Sequence, residues 1–207
     1  MADVKFVAKV LLEMGQIIEE QKDYLTKLDQ PIGDSDHGIN MARGFQAVKE
    51  KLEADTTDDI GAKLKTVGMA LVSTVGGASG PLYGSAFLKA GMLLAGKTEM
   101  NLQDFVQALK VATEAVEQRG KAVAEDATML DAMIPAVAAM EKELADGADD
   151  KAVLQAGCAA AWKGAEHTKE LVAKKGRASY VGERGIGHQD PGATSFAYLL
   201  ETVERCL

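Results

Sequence analysis

The segment Val4–Ile18, VKFVAKVLLEMGQII, places Val4, Val7, Leu11, Met14 and Ile18 at spacings of three and four. At 3.6 residues per turn these side chains share one face, so the segment reads as an amphipathic helix. The same beat returns along the chain. Ile60, Leu64, Val67, Leu71 and Val75 keep it after a start signal at Thr57–Asp58. Asn101 is placed to cap a run through Leu102, Phe105, Leu109, Ala112 and Val116, which Gly120 closes. Leu130, Met133, Val137, Met140 and Leu144 form another, in which Pro135 signals a kink or a late start. Residues 38–52, 81–96, 150–175 and 192–206 also read as helix. That makes about eight helices, and no segment alternates convincingly with period two. No linker rich in Pro, Gly and Ser, low-complexity tract or repeat divides them, so residues 1–207 are expected to form a single all-α domain.

Composition agrees. A chain of 207 residues has material for one core, and 47% apolar with 26% charged residues is a globular balance. Aromatic residues are only 5%, while Ala, Leu, Val and Met abound, which favours helix packed on helix. The net charge of −8 argues against a nucleic-acid binder, which needs a basic surface, but not against a small phosphate ligand held by local cations or metals. The two cysteines, Cys158 and Cys206, have no metal-type spacing and no neighbouring partner, which disfavours zinc and a disulfide framework. The N-terminus lacks the basic start and apolar run of a signal peptide, and Gly and charge interrupt every candidate membrane span. The expected compartment is the cytoplasm.

The glycines cluster in three places: IGDSDHG (Ile32–Gly38), GGASGPLYG (Gly76–Gly84) and GERGIGHQDPGA (Gly182–Ala193), each just before an expected helix. Glycine lets backbone approach a ligand closely, and a helix start offers unpaired N–H groups with a partial positive charge. Three such junctions together could build an anion site; each taken singly also reads as a tight turn between helices.

At and just before the first cluster, Asp29, Asp34 and Asp36 lie within eight residues. Hard carboxylate oxygens in a loop suit Mg²⁺ or Ca²⁺, and magnesium usually shares its shell with water and phosphate oxygens. Helix capping by Asp34 or Asp36 is the competing reading. An EF-hand is excluded: Gly38 stands where a fifth-position ligand belongs, Ile39 where the glycine belongs and Phe45 where the bidentate Glu belongs. His37 adjoins the acidic loop at the same helix start, whereas His167 lies in a charged run and reads as solvated surface. No Walker loop, dinucleotide fingerprint or protein-kinase motif occurs. Residue chemistry alone reaches an all-helical protein with a divalent metal and a phosphate ligand.

Four segments carry a family resemblance. IGDSDHGINMARGF (Ile32–Phe45), GGASGPLYGSAF (Gly76–Phe87), DATMLDAMIPA (Asp126–Ala136) and SYVGERGIGHQDPGATS (Ser179–Ser195) resemble the nucleotide-binding L subunits of dihydroxyacetone kinases, in the family's order and over nearly the whole chain. Ser35 departs from the pattern, which often has Gly or Ala there; if the position needs positive φ, Ser costs on the order of 1 kcal/mol.

The resemblance implies a closed barrel of eight antiparallel amphipathic helices with the nucleotide at one end. It implies that Asp29, Asp34 and Asp36 coordinate two Mg²⁺ ions bridging the nucleotide phosphates. His37, Gly38, Ile39 and Asn40 would contact the nucleotide, and Ala78 and Ser79 would donate to phosphate. Gly120 and Met129 would line the adenine pocket, while Arg177, as the catalytic cation, and the turn Asp190, Pro191, Gly192 would close the other side.

The family has two designs. One joins this domain to a dihydroxyacetone-binding domain and uses free ATP. In the other, ADP stays tightly bound, cycles to ATP at the expense of a phosphohistidine subunit of the sugar phosphotransferase system, and serves a separate dihydroxyacetone-binding subunit. A chain of this length resembles the second. An L-type domain of an ATP-dependent kinase and a non-catalytic nucleotide or metal sensor remain as alternatives.

Overall fold

The computed structural model describes all 207 residues. Nine helices account for most of the chain: α1 Val4–Glu20, α2 Lys22–Asp29, α3 His37–Ala54, α4 Ile60–Thr74, α5 Ser79–Leu93, α6 Leu102–Gly120, α7 Leu130–Ala145, α8 Asp150–His167 and α9 Pro191–Cys206. Their starts are chemically marked. The side chains of Asp3, Asp59, Asp149 and Asp190 accept first-turn amides of α1, α4, α8 and α9. Asn101 and Asp104 form a reciprocal capping box at α6.

From α3 to α9 each helix packs on its successor; α9 packs on α1, and α1 on α3. The short α2 lies against α3 and α9. The apolar faces meet in one core that includes Ile18, Leu25, Phe45, Leu71, Met133 and Met140, all essentially inaccessible. Burying each such side chain contributes roughly 1.5–3 kcal/mol. Between the helices lies an apolar cavity of about 150 Å³, walled by Phe6, Leu11, Tyr83, Phe105, Phe196 and Leu200 among others. No helix is long and apolar enough to cross a membrane.

The helical expectation holds, and its departures have local causes. α2 is a separate helix that periodicity misses, because only Leu25 and Asp29 of its eight residues are buried. Helix α4 is capped by Asp59, not by the Thr57–Asp58 pair. Gly120 ends α6 in helical geometry, and the left-handed residue that follows is Lys121 (φ 49°). Pro135 causes no late start, since α7 begins at Leu130. It cannot donate to the Asp131 carbonyl one turn earlier, and α8 approaches that carbonyl at Gly164, where any Cβ would collide with it.

The run 150–175 is not one helix. It stops at His167, followed by a 3₁₀ turn at Thr168–Glu170. Thr168 Oγ1 donates to the Ala165 carbonyl (2.6 Å) and accepts the Asp190 N–H (2.9 Å), tying the end of α8 to the start of α9. A two-residue antiparallel bridge, Ala2–Asp3 with Glu99–Met100, is the only sheet and is too short to show a period.

Candidate functional site

Asp29, the last residue of α2, organises the acidic loop. Its Oδ2 accepts the N–H groups of Asp36 (2.9 Å) and His37 (3.2 Å), and its carbonyl accepts that of Gly33 (2.6 Å). Ser35 makes the reversal at φ 61°, so this position does use the left-handed region. The loop brings carboxylate oxygens of Asp29, Asp34 and Asp36 within 4.8 Å of one another. Asp36 stands at the N-cap position of α3, yet its side chain accepts no helix amide. The one cation paired with the cluster is Arg177, whose Nε donates to Asp34 Oδ2 at 2.7 Å. Asp29 is buried, whereas Asp34 and Asp36 reach solvent. Three hard oxygen donors, two of them open to further ligands, fit a magnesium- or calcium-type ion that shares its shell with another oxygen donor.

His37 opens α3 and joins it to two other helix starts. Its Nδ1 lies 3.1 Å from Ser79 Oγ, the first residue of α5, and its Nε2 lies 3.0 Å from Ser195 Oγ, in the second turn of α9. Ser195 Oγ is 2.7 Å from the Tyr83 hydroxyl and donates to the Gly192 carbonyl (3.0 Å). Burial lowers the His37 imidazole to about 4, against the opposing pull of Asp29, so the ring is neutral near pH 7. Burial likewise raises the Tyr83 phenol. The result is a chain of neutral groups that fixes three helix N-termini side by side.

A pocket of about 140 Å³ opens above this chain. Asp29, Ile32, Asp34, Asp36, His37 and Asn40 form one wall, and Gly76, Gly77, Ala78 and Ser79 form the second. Lys175, Gly176, Arg177, Ala178 and Pro191 form the third. Asn40 Oδ1 accepts from Arg43, whose Nε also holds the Thr74 carbonyl (2.9 Å), so the Asn40 amide N–H₂ is left as a donor.

Of the residues expected at a site, Asp29, Asp34, Asp36, His37, Asn40, Ala78, Ser79, Arg177 and Pro191 meet in this pocket. Gly38 and Ile39 lie outside its lining. Gly38 is a packing glycine, where a Cβ would collide with the Lys22 carbonyl of α2, and the Ile39 side chain is half exposed. Gly120, Met129, Asp190 and Gly192 also lie outside the lining. A Cβ on Gly192 would sit 3.5 Å from Met129, which brings those two together, whereas one on Gly120 would sit 3.2 Å from Leu82, one turn along α5 from Ser79.

Asp190 caps α9 next to them. Burial pushes its carboxyl up to about 7; the Ala193 amide opposes this, and Asp131 and Asp29 add to it. Asp131 is also raised by burial, against the Thr128 and Glu125 amides. Asp126 behaves oppositely. Burial pushes it up, but the Val123 amide and the Lys174 ammonium together hold it below the usual carboxylate range.

The segments quoted from the sequence contain Ser195, Tyr83 and Asp126 but give these residues no role, and Lys175 is passed over. Lys175 had a signal: KKGR at 174–177 is a basic run in an acidic chain. His167 was read as solvated surface; it is partly exposed, and it bonds Glu125 (3.0 Å) and Glu170 (3.3 Å).

The family model described as the DAK2 domain matches residues 31–205. The chain belongs to the DAK2 domain family. This DAK2 domain is 43% identical over 191 residues to the PEP-dependent dihydroxyacetone kinase, ADP-binding subunit DhaL, of Escherichia coli K12, covering 92% of this chain and 91% of that protein. It is 45% identical over 203 residues to the corresponding subunit of dihydroxyacetone kinase 2 of Listeria innocua, covering 97% and 94%. It also superposes on the dihydroxyacetone kinase of C. freundii in complex with AMP-PNP and Mg²⁺, with a TM-score of 0.74 and 26% identity. That match covers 96% of this chain and 33% of the larger enzyme.

Proposed function

We propose that this chain is the ADP-binding subunit of a phosphoenolpyruvate-dependent dihydroxyacetone kinase, holding its nucleotide as a coenzyme that cycles between ADP and ATP. The observation that carries the reading is the meeting of two opposite fields in one pocket. The carboxylates of Asp29, Asp34 and Asp36 converge on one side. The same pocket is lined by the N-terminus of α5 at Ala78–Ser79 and by Lys175, and by Arg177, which pairs with Asp34. A bare phosphate would be repelled by the first group, and a bare cation would be repelled by the second. A metal–phosphate complex satisfies both.

In this reading Asp29, Asp34 and Asp36 hold two Mg²⁺, which supply charge neutralisation to the phosphate oxygens. The Ser79 hydroxyl and the Ala78 backbone face the phosphates, as do His37 and Asn40, with Gly38 and Ile39 at the start of α3 beside them. Gly120 and Met129 take the adenine, and Asp190, Pro191 and Gly192 close the far side. Arg177 is the catalytic cation. The packed ring of α1 and α3 to α9 forms a closed antiparallel barrel with the site at one end, and the protein works in the cytoplasm.

The chemistry divides among partners. The N–P bond of a phosphohistidine subunit breaks as a terminal ADP oxygen takes the phosphoryl group. The new P–O bond then breaks as a hydroxyl oxygen of dihydroxyacetone, held on a partner subunit, accepts it and loses its proton there. This chain supplies position and charge.

The test mixes the purified protein and its bound nucleotide with a dihydroxyacetone-binding subunit and a phosphorylated phosphohistidine donor. Many molecules of dihydroxyacetone phosphate per nucleotide are expected. Product that requires stoichiometric free ATP and ignores the donor would replace the coenzyme reading with the ATP-dependent design.

A further inference from the structure

Two segments distant in sequence, 120–131 and 171–178, flank the proposed nucleotide, and one buried carboxylate joins them. Asp126 is only 4% exposed. Its Oδ2 accepts the Val123 N–H (3.0 Å), which closes the loop it sits in. Its Oδ1 lies 3.2 Å from Lys174 Nζ, and its carbonyl accepts the Lys174 N–H (3.0 Å). Lys174 Nζ also donates to the Glu125 carbonyl (3.1 Å). One residue of the second segment thus grips the first through both backbone and side chain.

On either side of this junction lie proposed site residues. Three positions beyond Lys174, across Gly176 at φ 63°, Arg177 reaches Asp34. On the other side, the loop between Gly120 and Met129 holds three non-glycine residues in the left-handed region: Lys121 (φ 49°), Glu125 (φ 68°) and Ala127 (φ 54°). Backbone held in such geometry persists only where its surroundings over-determine it. The further ties here are Asp131, which accepts the Glu125 and Thr128 amides, and His167 on the Glu125 carboxylate. Of the hydrogen bonds and ion pairs, only those of Lys174 reach this loop from the arginine-bearing segment.

We infer that Lys174 and Asp126 form a clasp that holds segment 174–177 against the loop 121–129, making both of them positioning residues for a bound nucleoside diphosphate. This rests on the nucleotide-site reading above. A ligand that spans from Met129 to Arg177 touches both segments, so its residence depends on their fixed separation. Neither clasp residue lines the pocket, and each acts through the segment it holds.

The test measures release of labelled ADP from the magnesium-loaded protein, chased with excess unlabelled ADP. Lys174→Met should speed release roughly tenfold or more, since small misplacements of binding groups are costly. The Lys174 side chain is 60% exposed but its partner Asp126 is buried, so the ligand-free melting temperature should fall in Lys174→Met and recover in part when Asp126→Asn removes the unpaired charge. Lys174→Arg should restore slow release. Asp126→Asn combined with Lys174→Met should be little worse than either alone, because the two residues act as one unit.

Release from Lys174→Met at the parent rate, while Asp34→Asn releases fast, would overturn the clasp. So would a fall in ligand-free melting temperature large enough to account for the faster release, with no rescue by arginine. If Asp34→Asn also leaves release unchanged, the nucleotide reading itself is at fault and the clasp falls with it.

Discussion

Asp34→Asn separates binding from folding more cleanly than Asp29→Asn does. Asp34 makes one polar contact, the 2.7 Å pair with Arg177, and the two side chains are 35% and 68% exposed. An exposed pair of this kind is worth about 0–1 kcal/mol, and Asn fills the same space. At roughly 2–4 °C per kcal/mol for a chain of this size, the ligand-free melting temperature should move by no more than about 4 °C. Binding should respond very differently. With magnesium and ADP at about 100 times the dissociation constant, the parent gains about 2.7 kcal/mol, or roughly 5–10 °C. Loss of an outer partner of a metal ligand alone costs about 10–100-fold in affinity, and loss of a ligand's charge should cost at least the upper figure. At the same ADP concentration a hundredfold loss leaves RT ln 2, about 0.4 kcal/mol, or roughly 1 °C.

The assay is thermal melting of parent and variant, each with ADP and magnesium, with ADP and EDTA, and with neither. EDTA should bring the parent down to its ligand-free value. A variant that keeps the parent's ligand shift would refute the assignment of Asp34 to the metal. A variant whose ligand-free midpoint falls by as much as the parent's ligand shift would make Asp34 structural. Asp29→Asn is a poorer probe because Asp29 also accepts two backbone amides, and bonds to a charged acceptor are worth about 1.5–3 kcal/mol each.

Three further outcomes are expected. The Asp190 carboxyl is raised when folded, to about 7, so the folded state holds a proton that the unfolded state releases near pH 4. Its contribution is stabilising below about pH 4 and is lost as pH rises through about 7; Asp190→Asn, which keeps a cap for Ala193, should exceed the parent by about 3–4 kcal/mol at pH 8 and match it near pH 4. Equal pH profiles in urea unfolding would contradict this. Ser35→Gly should raise ligand-free stability by about 0.5–1 kcal/mol through relief of the left-handed serine, and no gain on denaturation would show that the loop carries no strain there. Arg177→Ala should cut turnover in the reconstituted kinase more than it cuts ADP retention, because a cation near the transferring group acts most in the transition state; equal losses in kinetics and binding would make Arg177 a binding residue only.

The helices were legible where burial is one-sided and long. Val4 to Ile18 shows its face in the spacing alone, and the buried set of α1 contains all five residues that carried the expectation. Legibility failed where a local choice was decided by a distant partner. Residues 168–175 are good helix formers, yet Thr168 Oγ1 turns to the Ala165 carbonyl and to the N–H of Asp190, 22 positions on. The Lys174 amide leaves for the Asp126 carbonyl. A hydroxyl that bonds backbone locally competes with the helix, and here a second tertiary bond decides the contest. No single-segment reading contains that bond.

The site divides along the same line. The acidic cluster was readable because its members lie within eight residues, and the glycine clusters were readable because each opens a helix. What joins them was not, since His37, Ser79, Tyr83 and Ser195 belong to three helices and no spacing in the sequence links those helices to one another. Their arrangement nevertheless determines what the pocket holds. Because His37 is neutral, the positive field facing the carboxylates comes from helix starts, Lys175 and Arg177. Protonating the ring would add a charge in a buried position and leave one of its two hydroxyl partners to reorient, so the fold keeps it uncharged. An uncharged chain therefore ties the carboxylates, which sit at the start of α3, to the starts of α5 and α9. A ligand that carries both a divalent cation and phosphate oxygens meets complementary charge on each side of it.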